Sequence, residues 1–325
     1  MIAGIDHLGT ALADRTSAIR FFEDVLGCPV YAIGTDPTSG LKNGLIRLGE
    51  TDFVIQQPPK PGVDPEASKN YIPPRDPAEL RQVEKGLHLD TAVFVKYLQK
   101  WGEGVHHVGV RVPDLLGAWR ELKKAGLTLF DDLEKGERPG IRDSQLFFPE
   151  PRETYGILLQ FTSRPESEGH IWDDKNGGWI DSLQGKEPPI SPYYNGIDHL
   201  GVIVDDARAA GRFYNEVLKL KMLGQGKEAK SDRNWSHVKI GQSAFLFRDL
   251  AHKFSDKNPL GRFRPRRAKG IHYVALRCKD LAASEARLKK AGAKVIPNEA
   301  REHAREPAFF IDSAGTPGIQ FGFVG

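Results

Sequence analysis

Val105-His106-His107-Val108-Gly109-Val110 reads as a strand whose side chains fall alternately on two faces, Val108 and Val110 on one and Val105 on the other. A few residues later the period changes. Asp114 precedes Leu115, Trp119 and Leu122 at helical spacing, and Asp14 precedes Ala18, Ile19, Phe22, Val25 and Leu26 in the same way. Each of these helices is predicted to open on its aspartate. Gly27, Gly126 and Gly292 are predicted to close helices in the left-handed conformation. Strand-like runs follow, Gly44–Gly49 and Asp52–Gln56 after the first helix, Gln145–Phe148 and Gly156–Phe161 after the next. The predicted unit is a strand, a helix and an antiparallel meander.

The unit recurs. GIDHLG stands at Gly4–Gly9 and again at Gly196–Gly201, and from there the two stretches align without a gap: Phe21-Phe22 on Phe213-Tyr214, Leu48-Gly49 on Ile240-Gly241, Phe53 on Phe245. A second pair aligns GVHHVGVRVPDLLGAWRELKKAG (Gly104–Gly126) with GIHYVALRCKDLAASEARLKKAG (Gly270–Gly292). The chain therefore reads A-B-A′-B′. One unit alone exposes a face of its small sheet, so A is expected to join B, and A′ to join B′. The polar, Gly- and Pro-rich stretch between them reads as a linker.

Composition narrows the class. A chain of 325 residues accommodates two domains, and 39% hydrophobic with 27% charged residues marks a folded protein. A net charge of +3 forces no nucleic-acid reading, and the basic run Arg262–Lys269 is expected to be a solvated loop. Two cysteines, Cys28 and Cys278, make no disulfide framework and suit a reducing compartment. MIAGIDHLG lacks the basic segment and apolar core of a signal peptide, and no apolar run reaches the roughly 20 residues of a membrane span. The expectation is a cytoplasmic protein, monomer or homodimer, with a small-molecule substrate and neither nucleic acid nor membrane as partner.

GIDHLGTAL…AIRFFEDVLG, FVKYLQKWGEGVHHVGVRVPDL (Phe94–Leu115) and YGILLQF (Tyr155–Phe161) resemble the vicinal oxygen chelate superfamily of glyoxalases, extradiol dioxygenases and bleomycin-resistance proteins. The first half is most similar to the methylmalonyl-CoA epimerases, whereas four units in one chain look more like the ring-cleaving and keto-acid dioxygenases. The resemblance implies an α+β fold, four βαβββ modules paired into two glyoxalase-like domains with cupped mixed sheets. The expected boundaries are 1–163 for the first domain (modules A 1–60 and B 103–163, helical insertion 61–102) and 164–195 for the linker. The second domain is then 196–325 (modules A′ 196–249 and B′ 270–325).

The resemblance also implies one divalent metal, Co, Mn, Ni, Zn or Fe, in the cup. Carried over residue by residue, its ligands are His7 and Gln56 from module A, and His107 and Gln160 from module B. Strand alternation favours His107 over His106: His7, His107 and His199 share a face with Ile5, Val105 and Ile197, and His106 points with Val108 and Val110 toward the helices. Gln57, adjacent to Gln56, would replace it if the strand bulged. Gln160 stands where the epimerases carry a glutamate, and their other proton-transferring glutamate has no counterpart near Thr38–Gly40. The equivalent set in the second half is His199, Arg248, Tyr273 and Gln320. Arginine cannot ligate a metal, so Arg248 with Tyr273 is expected either to bind an anionic substrate group or to be structural. The leading expectation is a divalent-metal-dependent, epimerase-like isomerase or lyase acting on a small carbonyl or thioester compound through a metal-stabilised enolate. No base is singled out among His106, Tyr155, Glu153, Asp52 and Glu50. The alternatives are an Fe(II) extradiol-type or keto-acid dioxygenase, and a metal-free protein that sequesters a small molecule.

Overall fold

A computed structural model describes residues 1–35, 40–59, 89–130, 133, 146–163, 170–173, 178–181, 187–250, 269–299, 301–302 and 306–325. The first half runs β1 (Gly4–Ala11), α1 (Arg15–Arg20, continued by a π turn over Phe21–Leu26), β2 (Val30–Thr35), β3 (Lys42–Leu48) and β4 (Thr51–Gln57). It continues through α2 (Leu89–Trp101), β5 (Gly104–Arg111), α3 (Leu115–Lys124), β6 (Leu146–Phe147) and β7 (Leu159–Thr162). A hairpin follows, β8 (His170–Asp173) and β9 (Gly178–Asp181), in the stretch expected as linker. The second half runs β10 (Tyr194–Val204), α4 (Ala207–Glu216), β11 (Lys221–Lys227), β12 (Asn234–Ile240), β13 (Ser243–Asp249), β14 (Gly270–Cys278), α5 (Leu281–Lys290), β15 (Val295–Pro297), β16 (Phe309–Ile311) and β17 (Gln320–Val324).

The aspartate signals are caps. Asp14, Asp114, Asp206 and Asp280 each accept a backbone N–H in the first turn of α1, α3, α4 and α5. Gly27, Gly126 and Gly292 follow the helices at φ of 66°, 89° and 82°. The run read as a strand from Gly156 begins pairing only at Leu159, because Gly156 itself sits at φ 81° in a turn.

The strands form two sheets of like topology, β2-β3-β4-β1-β5-β7-β6 and β11-β12-β13-β10-β14-β17-β16-β15. In each, the first strands of two modules pair antiparallel at the centre, β1 with β5 and β10 with β14, and each lies parallel to the last strand of its own module. This is the mixed, α+β arrangement of paired modules.

One face of each sheet packs on the helices. Leu8, Phe53, Val108, Val110 and Leu159 share a core with Phe22, Trp119, Tyr214 and Phe321 from both halves. Phe321 of β17 reaches Phe22 at 5.8 Å and Phe53 at 6.1 Å, and the Tyr214 hydroxyl donates to the Thr154 carbonyl at 3.1 Å. The helices thus lie between the halves, and the opposite face of each sheet carries the polar side chains. The basic run Arg262–Arg267 lies outside the described residues; Lys269 pairs with Asp205.

Candidate functional site

The central strand pair β1·β5 sets the first site. His7 stands opposite Gly109 and Gly9 opposite His107, so each imidazole has a glycine facing it. A Cβ at Gly9 would lie 2.0 Å from His107 Cε1, and one at Gly109 would lie 2.3 Å from His7 Cε1. Only glycine leaves room for a ring to lie flat across the neighbouring strand. Both rings use that room to converge, and His7 Nε2 comes to 3.1 Å from His107 Nε2. Both are nearly fully buried. Burial, then the nearby His7 and His106, hold the His107 imidazole well below its usual pKa, so it is neutral.

Strict alternation does not place these rings. On β1, Ile5 pairs with Val110 and His7 with Gly109, which makes Asp6 an extra, bulged residue; on β5, the steps Gly9–His107 and Thr10–Val105 make His106 one. Ile5 therefore faces the helix core, with Leu8, and does not share a face with His7. His106, expected among Val108 and Val110, instead packs on Phe94 and Tyr97 of α2, at ring separations of 4.5 Å and 4.9 Å. Each bulged side chain meets the ring that follows it. Asp6 Oδ2 accepts from His7 Nδ1 at 2.9 Å, and His106 Nδ1 lies 3.0 Å from His107 Nδ1.

The glutamines sit on the same face. Gln160 is in register with Gly109, next to the His7 ring. Gln56 faces away from the helices, since Phe53 and Ile55 face them, and its Oε1 is buried with no hydrogen-bond partner among the described residues. Gln57 turns the other way and its Oε1 accepts from Arg15 N at 2.7 Å. Beside Gln56, in register on β3, Asn43 also presents a buried, unpartnered amide oxygen. Asp52 is in register with His7 and carries a two-pronged hydrogen bond from Arg47, at 2.7 and 3.0 Å. Burial pushes its carboxyl up to about 6 against the opposing pull of Arg47.

Sequence profiles of the Glyoxalase/Bleomycin resistance protein/Dioxygenase superfamily match residues 4–161 and 198–310. The chain belongs to this superfamily. Mouse mitochondrial methylmalonyl-CoA epimerase is 24% identical over 157 residues, which is 48% of this chain and 70% of that protein. A triple mutant of 4-hydroxymandelate synthase from Streptomyces coelicolor superposes with a TM-score of 0.64 at 14% identity, covering 99% of this chain and 92% of its own. A fusion of a xylose isomerase-like TIM barrel with 4-hydroxyphenylpyruvate dioxygenase gives 0.55 at 14% identity, over 91% of this chain and 39% of its own. Both structural likenesses are of fold.

The superfamily unit is used differently in the second half. His199 takes the place of His7, and its Nδ1 donates to Asp198 at 2.8 Å from a bulge of the same kind. Tyr273 takes the place of His107, lies over Gly201, and its hydroxyl meets His199 Nε2 at 2.9 Å. Arg248, in the place of Gln56, lies 3.3 Å from the Tyr273 hydroxyl and is held between two buried carboxylates. Its Nε is 2.7 Å from Glu228, and its Nη2 pairs with Glu306. Arg233 also binds Glu228, at 2.8 Å. Gln320 donates to the Ile311 carbonyl at 2.5 Å. Among the described residues two arginines, Arg248 and Arg233, meet Glu228 and Glu306, so a substrate anion at Arg248 would have to compete with these carboxylates. Burial lowers the His199 pKa, and the Asp198 carboxylate does not restore it.

Asp6, Asn43, Glu228 and Glu306 were not among the expected site residues, and His106, expected only as one candidate base, stands here against the His107 ring. For Asp6 a signal existed, because the Asp-His pair is retained in both copies of GIDHLG. Among the described residues no three His, Cys, Asp or Glu side chains gather with metal-ligand geometry. No described helix is long and apolar enough to cross a membrane.

Proposed function

We propose that the chain is a divalent-metal-dependent isomerase or lyase acting on a C–H bond beside a carbonyl or thioester, with its site in residues 1–163. His7, Gln56, His107 and Gln160 are the proposed ligands. The observation that carries the reading is the meeting of His7 and His107. Two buried ring nitrogens 3.1 Å apart are close enough that both could hold one cation, imidazole being a common ligand of such ions. The orphaned Gln56 oxygen supplies an acceptor that no group among the described residues uses, and residues 196–325 form a second domain whose equivalent cup is filled by its own ion pairs.

The chain's own contributions follow from charge and burial. Four neutral donors leave the charge of a cation undiminished, and the buried rings are fixed in advance by Asp6 and His106. A bound divalent cation would supply a Lewis acid that polarises the substrate carbonyl. Similarity of the first half to a methylmalonyl-CoA epimerase supports the C–H acid class. An Fe(II) dioxygenase reading draws on the whole-chain fold likeness, but such sites use two histidines and one carboxylate, and glutamine stands at both 160 and 320.

The test is elemental analysis of the purified protein beside the His7→Ala/His107→Ala variant, followed by deuterium uptake from D2O into small acyl thioesters. Metal present in the wild type and lost in the variant, with exchange into at least one thioester, is the expected result. Failure to take up Mn, Co, Ni, Zn or Fe(II) would sink the reading and leave a sequestering protein.

A further inference from the structure

Three of the four modules aim a bulged side chain at the Nδ1 of the ring that follows it. Asp6 does so for His7, Asp198 for His199 and His106 for His107. In the fourth, the steps Gly201–Tyr273 and Val202–Ile271 put His272 at the same bulge, ahead of a tyrosine. The pattern is a device of the module, and module B builds it with an imidazole where A and A′ use a carboxylate.

We propose that His106 is the positioning residue of His107: it accepts the Nδ1–H of His107 and so leaves the His107 Nε2 lone pair facing the cation site. This rests on the metal reading above. An ionised carboxylate only accepts, so Asp6 places the His7 proton on Nδ1 and leaves Nε2 bare. Without a cation, the 3.1 Å contact then requires His107 to donate from Nε2 and to accept at Nδ1 from His106. A cation shared by both rings requires both Nε2 lone pairs. The His107 proton then stands on Nδ1, and His106 turns from donor to acceptor by carrying its own proton on Nε2. Each ring keeps one N–H throughout. A carboxylate at 106 could accept but never donate, whereas imidazole does both. Its ring is held for this between Phe94, Tyr97 and His107.

The experiment is a Co(II) titration, read at the ligand-field bands, of the wild type, His106→Leu and His106→Asn. His106→Leu is expected to weaken Co(II) binding by about 10–100-fold and to shift the bands, as for loss of other outer-shell partners, with His106→Asn recovering most of both through its amide oxygen. In parallel, ring 15N spectra of the wild type are expected to show His107 pass from the Nε2–H to the Nδ1–H form on adding Zn(II), a readout that does not depend on either variant folding. Unchanged Co(II) affinity in His106→Leu, no rescue by His106→Asn, or a His107 tautomer that does not switch overturns the proposal alone. A wild type that binds neither ion overturns it together with the metal reading.

Discussion

The imidazole of His7 rests over Gly109, where a Cβ would fall 2.3 Å from its Cε1. Gly109→Ala must therefore turn the ring away from His107, and Gly9→Ala does the same to His107 from the other strand. Either change is expected to lower Co(II) affinity at least about tenfold, or roughly 1.4 kcal/mol. Overpacking adds a stability loss of about 1–3 kcal/mol without loss of the sheet. Co(II) titration beside urea unfolding separates the two effects. Full affinity in both variants would mean that these rings do not hold the ion.

Asp52 provides a pH signature. Its carboxyl is raised to about 6 chiefly by burial, and in the unfolded chain it returns to the ordinary range. Between those two values the folded state binds the extra proton, so this group's contribution to stability falls as pH rises from about 4 to 6, by an amount on the order of 3 kcal/mol. Side-chain 13C spectra of the metal-free protein should show one aspartate titrating near 6, and Asp52→Asn should remove it along with the matching part of the stability–pH curve. An Asp52 carbon that titrates in the ordinary carboxylate range would contradict this account of its environment.

The modules were legible because repetition makes them so. The helix caps at Asp14 and Asp114 and the verbatim GIDHLG need no tertiary information. His7 and His107 were reached from the family pattern, but the alternation argument offered for them assumed unbroken strands. The bulges at Asp6 and His106 shift the phase by one residue, and a bulge depends on the register of the partner strand, which a single strand's sequence does not carry. Ile5 and His106 were misplaced for that reason. Glu228 and Glu306 lie far from Arg248 in sequence, one in the β11–β12 turn and one before β16, so only the fold brings them to it. Residues 61–88 of the helical insertion expected at 61–102 lie outside the described residues.

Arg287 of α5 fastens the second half to the first. It donates to the carbonyls of Val25 and Asp24 at the end of the first helix, and its guanidinium lies 4.3 Å from the Tyr193 ring centre. Arg287→Ala is expected to cost roughly 1–3 kcal/mol in urea unfolding. Arg287→Lys should recover little of it, since one ammonium cannot bridge two carbonyls and stack on a ring at once. A lysine variant as stable as the wild type would show that charge alone makes the contact.

The network around Arg248 predicts a stability change whose size depends on pH. Burial works to raise the Glu228 carboxyl, but Arg248, the Ser231 hydroxyl and Arg233 outweigh it and hold it below its ordinary value. A carboxyl of that kind contributes stability above its unfolded pKa and loses it as pH falls through the folded one. Arg248→Met takes the guanidinium from Glu306 and leaves Glu228 with Arg233 and Ser231, at an expected cost of about 3–5 kcal/mol at neutral pH. Arg248 is the strongest of the groups opposing burial, so without it the Glu228 pKa rises and the variant loses less stability than the wild type as the pH is lowered. The gap between them should close toward pH 4 or so, below the ordinary glutamate value. Adding Glu306→Gln should recover part of the loss at neutral pH, and Co(II) affinity in the first half should be unchanged throughout. Chemical unfolding of the three proteins across that pH range is the measurement, and a gap of constant size would show that the two carboxylates do not depend on Arg248 for their charge.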